Sequence, residues 1–208
     1  LTVGTCTLNF NQAGNTNWNA ANQVQQSFSV GKGSQTITVT STAPAAATSL
    51  GATYTPTATS SSGLSVAITV DATSSAVCSI SGGVVSFLAS GTCKLNFNQA
   101  GNTNWNAAAQ VQQSFSVAKA TQTITVNSTA PAAATVGDGT YTPTASSSSG
   151  LSVVITVDAT SSAVCSISSG VVSMNSVGTC VLDFNQAGNG TYLAATQVQQ
   201  SFTVSQGT

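Results

Sequence analysis

Cysteine is the residue type in this chain whose spacing most clearly indicates covalent chemistry. Cys78 and Cys93 are 15 residues apart, as are Cys165 and Cys180, and Cys6 is left over. The chain has no histidine, and a lone cysteine pair cannot supply the four ligands of a structural zinc site. We therefore predict two disulfides, with reduced core thiols as the alternative, and a partner for Cys6 outside this sequence.

The predicted disulfides also indicate a compartment. Closing a loop of about 15 residues stabilises a fold by roughly 3 kcal/mol in the chain-entropy estimate. Disulfides of this kind persist in oxidising surroundings. We therefore expect a secreted protein that is extracellular or displayed at the cell surface.

The cysteine spacing belongs to a longer repeat. The tripeptide Gly-Thr-Cys begins at Gly4, Gly91 and Gly178, which are 87 residues apart, and Phe-Asn-Gln-Ala-Gly-Asn follows each time. A fixed period of this length indicates tandem modules, and we interpret the chain as a section of a longer protein. The predicted modules are the C-terminal part of a repeat at 1–30, complete repeats at 31–117 and 118–204, and the start of another repeat at 205–208. The two complete repeats are identical at 64 of 87 positions.

Aspartate and serine do not form a catalytic pattern. Asp71 and Asp158 are equivalent residues of separate repeats, so they do not supply the close carboxylate pair that general acid and base catalysis needs. Without histidine, a serine or cysteine nucleophile lacks its usual base. The junctions at Gly31 and Ala118 lack the carboxylates that calcium requires. We predict no enzyme activity, no metal site and no cofactor, and we expect both aspartates to cap turns.

The near absence of charge excludes two classes of partner. The chain has three basic and four acidic residues among 208. Nucleic-acid binding and electrostatic membrane binding both need clusters of lysine and arginine. No apolar run is long enough to span a bilayer. The sequence therefore predicts no nucleic-acid partner and no membrane insertion in this segment.

An amide-rich loop carries an aromatic residue at one position in each repeat. Trp18 and Trp105 are equivalent, and Tyr192 takes the third place. An aromatic ring among amides can stack on a sugar, so these loops are candidate binding sites for a glycan or another surface. The alternative is a ring packed over the base of the flanking strands, with Asn15, Asn17 and Asn19 bonding to the turn backbone.

Two segments match the acceptor pattern for N-linked glycans. They begin at Asn127 and Asn189, which are the predicted glycosylation sites. The alternative to glycosylation is that serine and threonine occupy the outward positions of strands without being modified. Because a surface with few charges is weakly protected from association along sheet edges, we expect either a glycan coat or assembly of copies of the chain.

Alternating apolar residues between turn signals predict strands. The predicted strands of the first complete repeat are residues 35–39, 53–59, 64–70, 76–80, 84–88, 91–97 and 109–117. Seven short strands at this spacing are typical of a two-sheet sandwich. No segment has the periodicity of a helix, so the predicted class is all-β.

The run ATYTPTATSSSGLSVAITVDATSSAVCSISGG, with the later GTC and NQAGNTNWNAA, resembles bacterial immunoglobulin-like (Big-type) tandem repeats of large secreted or cell-surface proteins. The resemblance covers essentially the whole chain. It implies tandem immunoglobulin-like β-sandwich domains of about seven strands each and an extracellular setting. It implies no particular ligand, because such modules serve mostly as spacers.

These observations predict a structural extracellular repeat array, which forms the stalk of a surface adhesin or the shaft of an extracellular filament. The expected partners are neighbouring repeats of the same chain, together with copies of the chain in a filament or a cell-surface or glycan ligand. The alternative function is a glycan- or surface-binding module that uses the tryptophan-containing loops.

Overall fold

The computed structural model describes residues 2–207, so Leu1 of the predicted 1–30 module and Thr208 of the predicted 205–208 segment lie outside the described residues. The chain forms two compact units. The first consists of the chain up to Ala45, Thr53–Ser86 and Thr92–Ser116, and the second of Ala46–Ala52, Phe87–Gly91 and the chain from Val117 onward. The second unit therefore takes in two short segments of the 31–117 repeat and its last residue, Val117. The repeat boundaries themselves stay a prediction.

The beginning of the chain forms an antiparallel hairpin. Its strands are β1 (Gly4–Phe10) and β2 (Val24–Val30). Gly4 lies opposite Val30 and Phe10 opposite Val24. Successive side chains of each strand point to opposite faces of this two-stranded ribbon.

Each complete repeat contributes eight short strands in the same order. The first set is β3 (Ile37–Val39), β4 (Ala47–Thr48), β5 (Ala58–Ser60), β6 (Ala67–Val70), β7 (Cys78–Ser81), β8 (Val84–Phe87), β9 (Gly91–Asn98) and β10 (Val111–Ala118). The second set is β11 (Ile124–Val126), β12 (Ala134–Thr135), β13 (Ala145–Ser147), β14 (Val154–Val157), β15 (Cys165–Ser168), β16 (Val171–Met174), β17 (Gly178–Asn185) and β18 (Val198–Ser205).

The strands of the second set form three sheets. A four-stranded sheet has the order β12-β18-β17-β14, and two-stranded sheets join β11 to β13 and β15 to β16. The short strand β12 is parallel to β18, whereas the other strand pairs of this set are antiparallel. A further bridge between Tyr141 and Val172 links the two smaller sheets into one layer. The strands of the first set form three sheets with the equivalent strand orders.

The core lies between the two layers. In the second unit, Tyr141, which precedes β13, and Val172 and Met174 of β16 meet Leu182 and Phe184 of the four-stranded sheet. Their burial stabilises each module mainly through the hydrophobic effect. The predicted fold class is thus confirmed: the chain is all-β and contains immunoglobulin-like β-sandwich domains.

The observed strands differ from the predicted ones in several places. The strand predicted at 64–70 begins only at Ala67. The two-residue strand Ala47–Thr48 was not predicted, because two residues are too few to show alternation. The predicted strand 53–59 is mostly irregular: Tyr54 forms an isolated bridge with Val85, and pairing resumes only at Ala58. Pro56 lies between them and has no N–H to donate, so it interrupts the ladder.

Helical structure in residues 2–207 consists of two 3-10 helices, Ala72–Ser74 and Ala159–Ser161. The side chain of Asp71 accepts a hydrogen bond from the backbone N–H of Thr73, and Asp158 does the same for Thr160. The predicted capping role of both aspartates is confirmed. Among the described residues, no helix is sufficiently long and apolar to cross a membrane.

Candidate functional site

Each amide-rich loop is closed by an asparagine. We call three equivalent segments the aromatic loops: residues 14–20, 101–107 and 188–194. Oδ1 of Asn102 accepts the N–H groups of Asn104 at 2.8 Å and Trp105 at 3.0 Å. Asn15 and Asn189 make the same pair of bonds in their own loops. These asparagines therefore hold the turn and do not present their carbonyl oxygens to a ligand.

A glycine allows the aromatic loop to fold back on itself. Gly101 has φ of 75°, a conformation that favours glycine. A Cβ at this residue would overlap the backbone carbonyl of Trp105. The N–H of Gly101 donates to Oε1 of Gln99, which fixes the entry to the loop. Replacement of Gly101 would therefore disrupt the loop regardless of any ligand.

A buried glutamine anchors the loop to the beginning of the repeat. Gln35 is 7% exposed. Its Nε2 donates to Oε1 of Gln99 at 2.5 Å and to the carbonyl of Asn106 at 2.6 Å, and its Oε1 accepts from Ser62. Gln122 has equivalent partners in the next repeat. Because all these polar groups are paired, the glutamine is accommodated in the interior.

The ring of Trp105 lies on the linker residue Gly33. The N–H of Gly33 donates to the carbonyl of Asn104, and the N–H of Asn106 donates to the carbonyl of Gly33, both at 2.9 Å. A Cβ added to Gly33 would lie 2.8 Å from Cζ3 of Trp105. Trp105 is half-buried as a result. This arrangement resembles the packed alternative and not the exposed ring of a sugar-stacking site.

The three predicted binding residues have different surroundings. Tyr192 is half-buried and pairs with Ala120 in the same way as Trp105 pairs with Gly33. Trp18, by contrast, is 76% exposed although its loop has the same asparagine bonds. The structure therefore places two of the three aromatics on linkers and leaves Trp18 in solvent.

Cysteines join the two layers of each complete repeat. Disulfides connect Cys78 with Cys93 and Cys165 with Cys180. Each bond links the hairpin strand β7 or β15 to the long strand β9 or β17. Cys6 is half-buried on β1 and has no partner sulfur within residues 2–207. Its predicted partner outside the sequence stays a prediction.

A tyrosine makes a second connection between the layers. The hydroxyl of Tyr54 bonds to Oγ of Ser41 at 2.7 Å and donates to Oε1 of Gln113 at 2.8 Å. Nε2 of Gln113 donates to the carbonyl of Ser41 at 3.2 Å, which closes the triangle. The Tyr54 ring meets Phe115 edge to face, with 5.7 Å between centroids. This hydroxyl is thus engaged within the module.

Asp71 is the group with the clearest electrostatic perturbation. Hydrogen bonds from the side chain of Thr73 and from Asn96 lower its pKa to about 2, and the N–H of Thr73 and the charge of Lys94 act in the same direction. The hydroxyl and N–H of Thr160 similarly lower the pKa of Asp158. Both carboxylates are therefore stabilised in the charged form that caps the turn. Within the described part of the chain, no three His, Cys, Asp or Glu residues form a group that could hold a metal ion.

The predicted glycosylation residues Asn127 and Asn189 are both exposed. Nδ2 of Asn127 donates to Oγ of Ser146 at 3.2 Å. Oδ1 of Asn189 accepts the two loop N–H groups described above. Exposure makes both side chains accessible, and their modification stays a prediction.

Gln35 and Gly33 were missed by the sequence analysis. Gln35 shares the inward face of its strand with Ile37, two residues later, so a glutamine at a core position was the available signal. The signal for Gly33 was weaker, because its equivalent is alanine and nothing local requires glycine. Both residues act through partners about 70 positions away in sequence.

No family model matches the chain, and no curated protein matches it. The structure is similar to that of human protocadherin-24 EC1-2, with 13% identity, a TM-score of 0.34, and coverage of 76% of this chain and 90% of that chain. It is also similar to surface layer protein SbsC, domains 1-6, with 15% identity, a TM-score of 0.33, and coverage of 91% of this chain but 30% of that chain. A third similar structure is Drosophila N-cadherin EC1-4, with 12% identity, a TM-score of 0.30, and coverage of 98% and 59%. At these values the similarities assign neither a family nor a partner to this chain.

Proposed function

We propose that this chain is part of a structural array of extracellular immunoglobulin-like repeats, which forms the stalk of a surface adhesin or the shaft of an extracellular filament. The observation that carries the proposal is that the residues best suited to bind or react are used inside the modules. In the complete repeats the cysteines form disulfides, the loop asparagines bond to their own turn, and Trp105 lies on Gly33. In each complete repeat, these residues therefore stabilise the fold of the repeat itself.

The strand order supports a role under tension. β12 lies near the beginning of its repeat and is parallel to β18 at the end, with Ala134 opposite Val204. The N–H of Val136 continues this pairing by donating to the carbonyl of Ser205 at 3.0 Å. A pull on the two ends of the repeat moves β12 and β18 in opposite directions along their axes. The hydrogen bonds between them are then loaded together, which raises the barrier to forced unfolding.

The disulfide adds a covalent limit to extension. Cys78 and Cys93 enclose 15 residues of chain that cannot lengthen while the bond is intact. Forced unfolding depends on the unfolding rate, and a closed covalent loop withstands forces that rupture hydrogen bonds. Disulfides also agree with the oxidising, extracellular or cell-surface location that we propose.

Single-molecule pulling on the full chain tests this function. We expect distinct unfolding steps, and we expect reduction of the disulfides to lengthen each step by about 5 nm, since about 15 residues at about 3.6 Å each are released. The control is the same chain pulled without reductant. Extension of the oxidised chain without distinct steps, at the forces that stretch an unfolded chain, would contradict a load-bearing role.

A second candidate function is binding of a glycan or another surface through the aromatic loops. Trp105 and Tyr192 are only half-buried, and the Trp105 ring lies among amide residues that could accompany a stacked sugar. Trp105→Ala separates the two candidates. The structural role predicts a lower melting temperature, whereas the binding role predicts lost binding to a glycan array at an unchanged melting temperature.

We also propose that glycans at Asn127 and Asn189 cover this weakly charged surface. Both side chains are exposed, and each begins an acceptor pattern. Intact-mass measurement of natively produced chain should show added glycan mass. Loss of one increment in Asn127→Gln would identify that residue, and an unmodified mass would instead favour assembly of uncovered copies.

A further inference from the structure

The residue below the loop aromatic differs between the two complete repeats, and the aromatic differs with it. Gly33 lies below Trp105, and Ala120 lies below Tyr192. In both pairs, the N–H of the smaller residue donates to the carbonyl of the residue before the aromatic, at 2.9 and 2.8 Å. The two pairs therefore share one backbone arrangement and differ in the size of both side chains.

The glycine is required by the ring and not by the backbone. Gly33 is not among the residues with positive φ, and Ala120 shows that the equivalent backbone accepts a Cβ. A Cβ on Gly33 would lie 2.8 Å from Cζ3 and 2.9 Å from Cε3 of Trp105. Carbon atoms without a bond between them pack best at about 3.5–4.0 Å. Tryptophan at this position thus excludes alanine below it, whereas the smaller ring of Tyr192 leaves room.

A second position beside the loop differs in parallel. In the second unit, the N–H and Oγ of Ser90 donate to the carbonyl of Gly190 at 3.2 and 2.9 Å. In the first unit the equivalent residue is Val3, which has no hydroxyl, and its N–H donates to Oδ1 of Asn104 at 3.3 Å. Valine therefore accompanies the tryptophan loop, and serine accompanies the tyrosine loop.

Both positions recur near the end of the described chain, as Gly207 and Val177. These are the residue types that accompany Trp105, and Val177 is 59% exposed. We infer that Gly207 and Val177 form a docking surface for a tryptophan-bearing aromatic loop of a further repeat of the 31–117 type. The size of the linker residue selects the loop that closes over it. This inference rests on the proposed array and adds a rule that pairs the linker residue of each repeat with the aromatic of its own loop, with Val177 as the contact from the preceding repeat.

The selection follows from packing. A tryptophan over alanine overlaps and must move, which destabilises the site as overpacking does. A tyrosine over glycine leaves a gap whose lining loses dispersion contacts. Each linker residue is therefore matched to one aromatic, and glycine at 207 favours tryptophan.

A double-mutant cycle in the existing chain tests the size rule. Gly33→Ala should lower the melting temperature by roughly 4–8 °C, the shift that a modest overpacking produces in a domain of this size. In a chain that already carries Trp105→Tyr, Gly33→Ala should lower the melting temperature clearly less. Additive shifts would overturn the rule, because additivity indicates that the two sites do not interact.

The mirror-image cycle is the matched control. Tyr192→Trp should be destabilising above Ala120, and Ala120→Gly should restore the stability. Hydrogen exchange at Leu193, whose N–H donates to the carbonyl of Ala120 at 2.8 Å, reports the closure locally. We expect protection to fall at least tenfold in Tyr192→Trp and to return in the double variant. Unchanged protection in the single variant would contradict the rule.

The docking surface itself is tested by extending the full chain after Thr208. One version adds a copy of residues 35–117, with the tryptophan loop, and the other adds a copy of 122–204, with the tyrosine loop. Gly207→Ala should lower the melting temperature of the tryptophan version and leave the tyrosine version unchanged or more stable. Equal effects in the two versions would overturn the assignment of Gly207. These melting and exchange measurements apply no force, so their failure is distinguishable from failure of the load-bearing role.

Discussion

Residues 4–30 and 91–117 differ at only two of 27 positions, and they form the same hairpin and the same aromatic loop. Their burial is nevertheless very different. Leu8, Phe10 and Phe28 are 45%, 52% and 52% exposed, whereas the equivalent Leu95, Phe97 and Phe115 are 0%, 0% and 9% exposed. Strand pairing and loop closure are therefore local properties of this sequence. Burial requires the opposing layer, which the 31–117 repeat supplies from β3, β5, β7 and β8.

The largest difference between the two hairpins should appear when a core phenylalanine is removed. We expect Phe97→Ala to lower the free energy of unfolding by about 3–5 kcal/mol, the usual cost for a fully buried phenylalanine. Phe10→Ala, its equivalent in the first hairpin, should change that free energy by less than about 0.5 kcal/mol. Chemical denaturation of both variants measures the two effects. Similar losses would show that the first hairpin is packed as fully as the second.

The disulfide should give the next largest contrast. Replacing Cys78 and Cys93 together by alanine removes a crosslink over 15 residues, and we expect a loss of roughly 3 kcal/mol. The double change avoids a free thiol that could pair with Cys6. Cys6→Ala is the matched control and should be nearly neutral. A substantial loss in the control would mean that the Cys6 thiol already contributes to packing.

Gln99 and its equivalent Gln12 differ in whether they bond to a buried glutamine. Both accept the N–H of a loop glycine, but only Gln99 also bonds to the buried Gln35. We expect Gln99→Ala to cost roughly 1–3 kcal/mol, because it leaves a buried amide without one partner. Gln12→Ala should cost less, as it removes an exposed bond. Equal melting temperatures for the two variants would exclude an anchoring role for Gln35.

The smallest effect concerns Asp71, which follows β6, a strand that pairs with β9 and has no counterpart beside the first hairpin among the described residues. The pKa of Asp71 is about 2 in the folded chain, below its ordinary value. Its stabilising contribution is therefore present above about pH 4 and is lost as the pH falls toward 2. Asp71→Asn keeps the cap and should flatten this part of the stability curve. A curve identical to that of the unchanged chain would show that other groups produce the acid dependence.

Features that depend on nearby residues could be predicted from the sequence. The alternation in residues 91–97 predicts a strand with Cys93, Leu95 and Phe97 on one face, and these three side chains are fully buried. The turn role of Asn15, the equivalent of Asn102, was one of the two alternatives for these loops, because an asparagine can bond to residues two and three positions later. The strand over 53–59 was predicted too long, because Pro56 interrupts the pairing.

The sequence by itself determined the repeat, the strands, the cysteine pairs and the closed loops, since each depends on covalent order or on bonds between residues close in the chain. Only the tertiary structure decided that Gln35 reaches Gln99, that Trp105 lies on Gly33, and that the equivalent Trp18, in a loop of identical sequence, is 76% exposed. The physical reason is that burial and close packing depend on atoms from distant segments, so one loop sequence has two environments according to what lies opposite it.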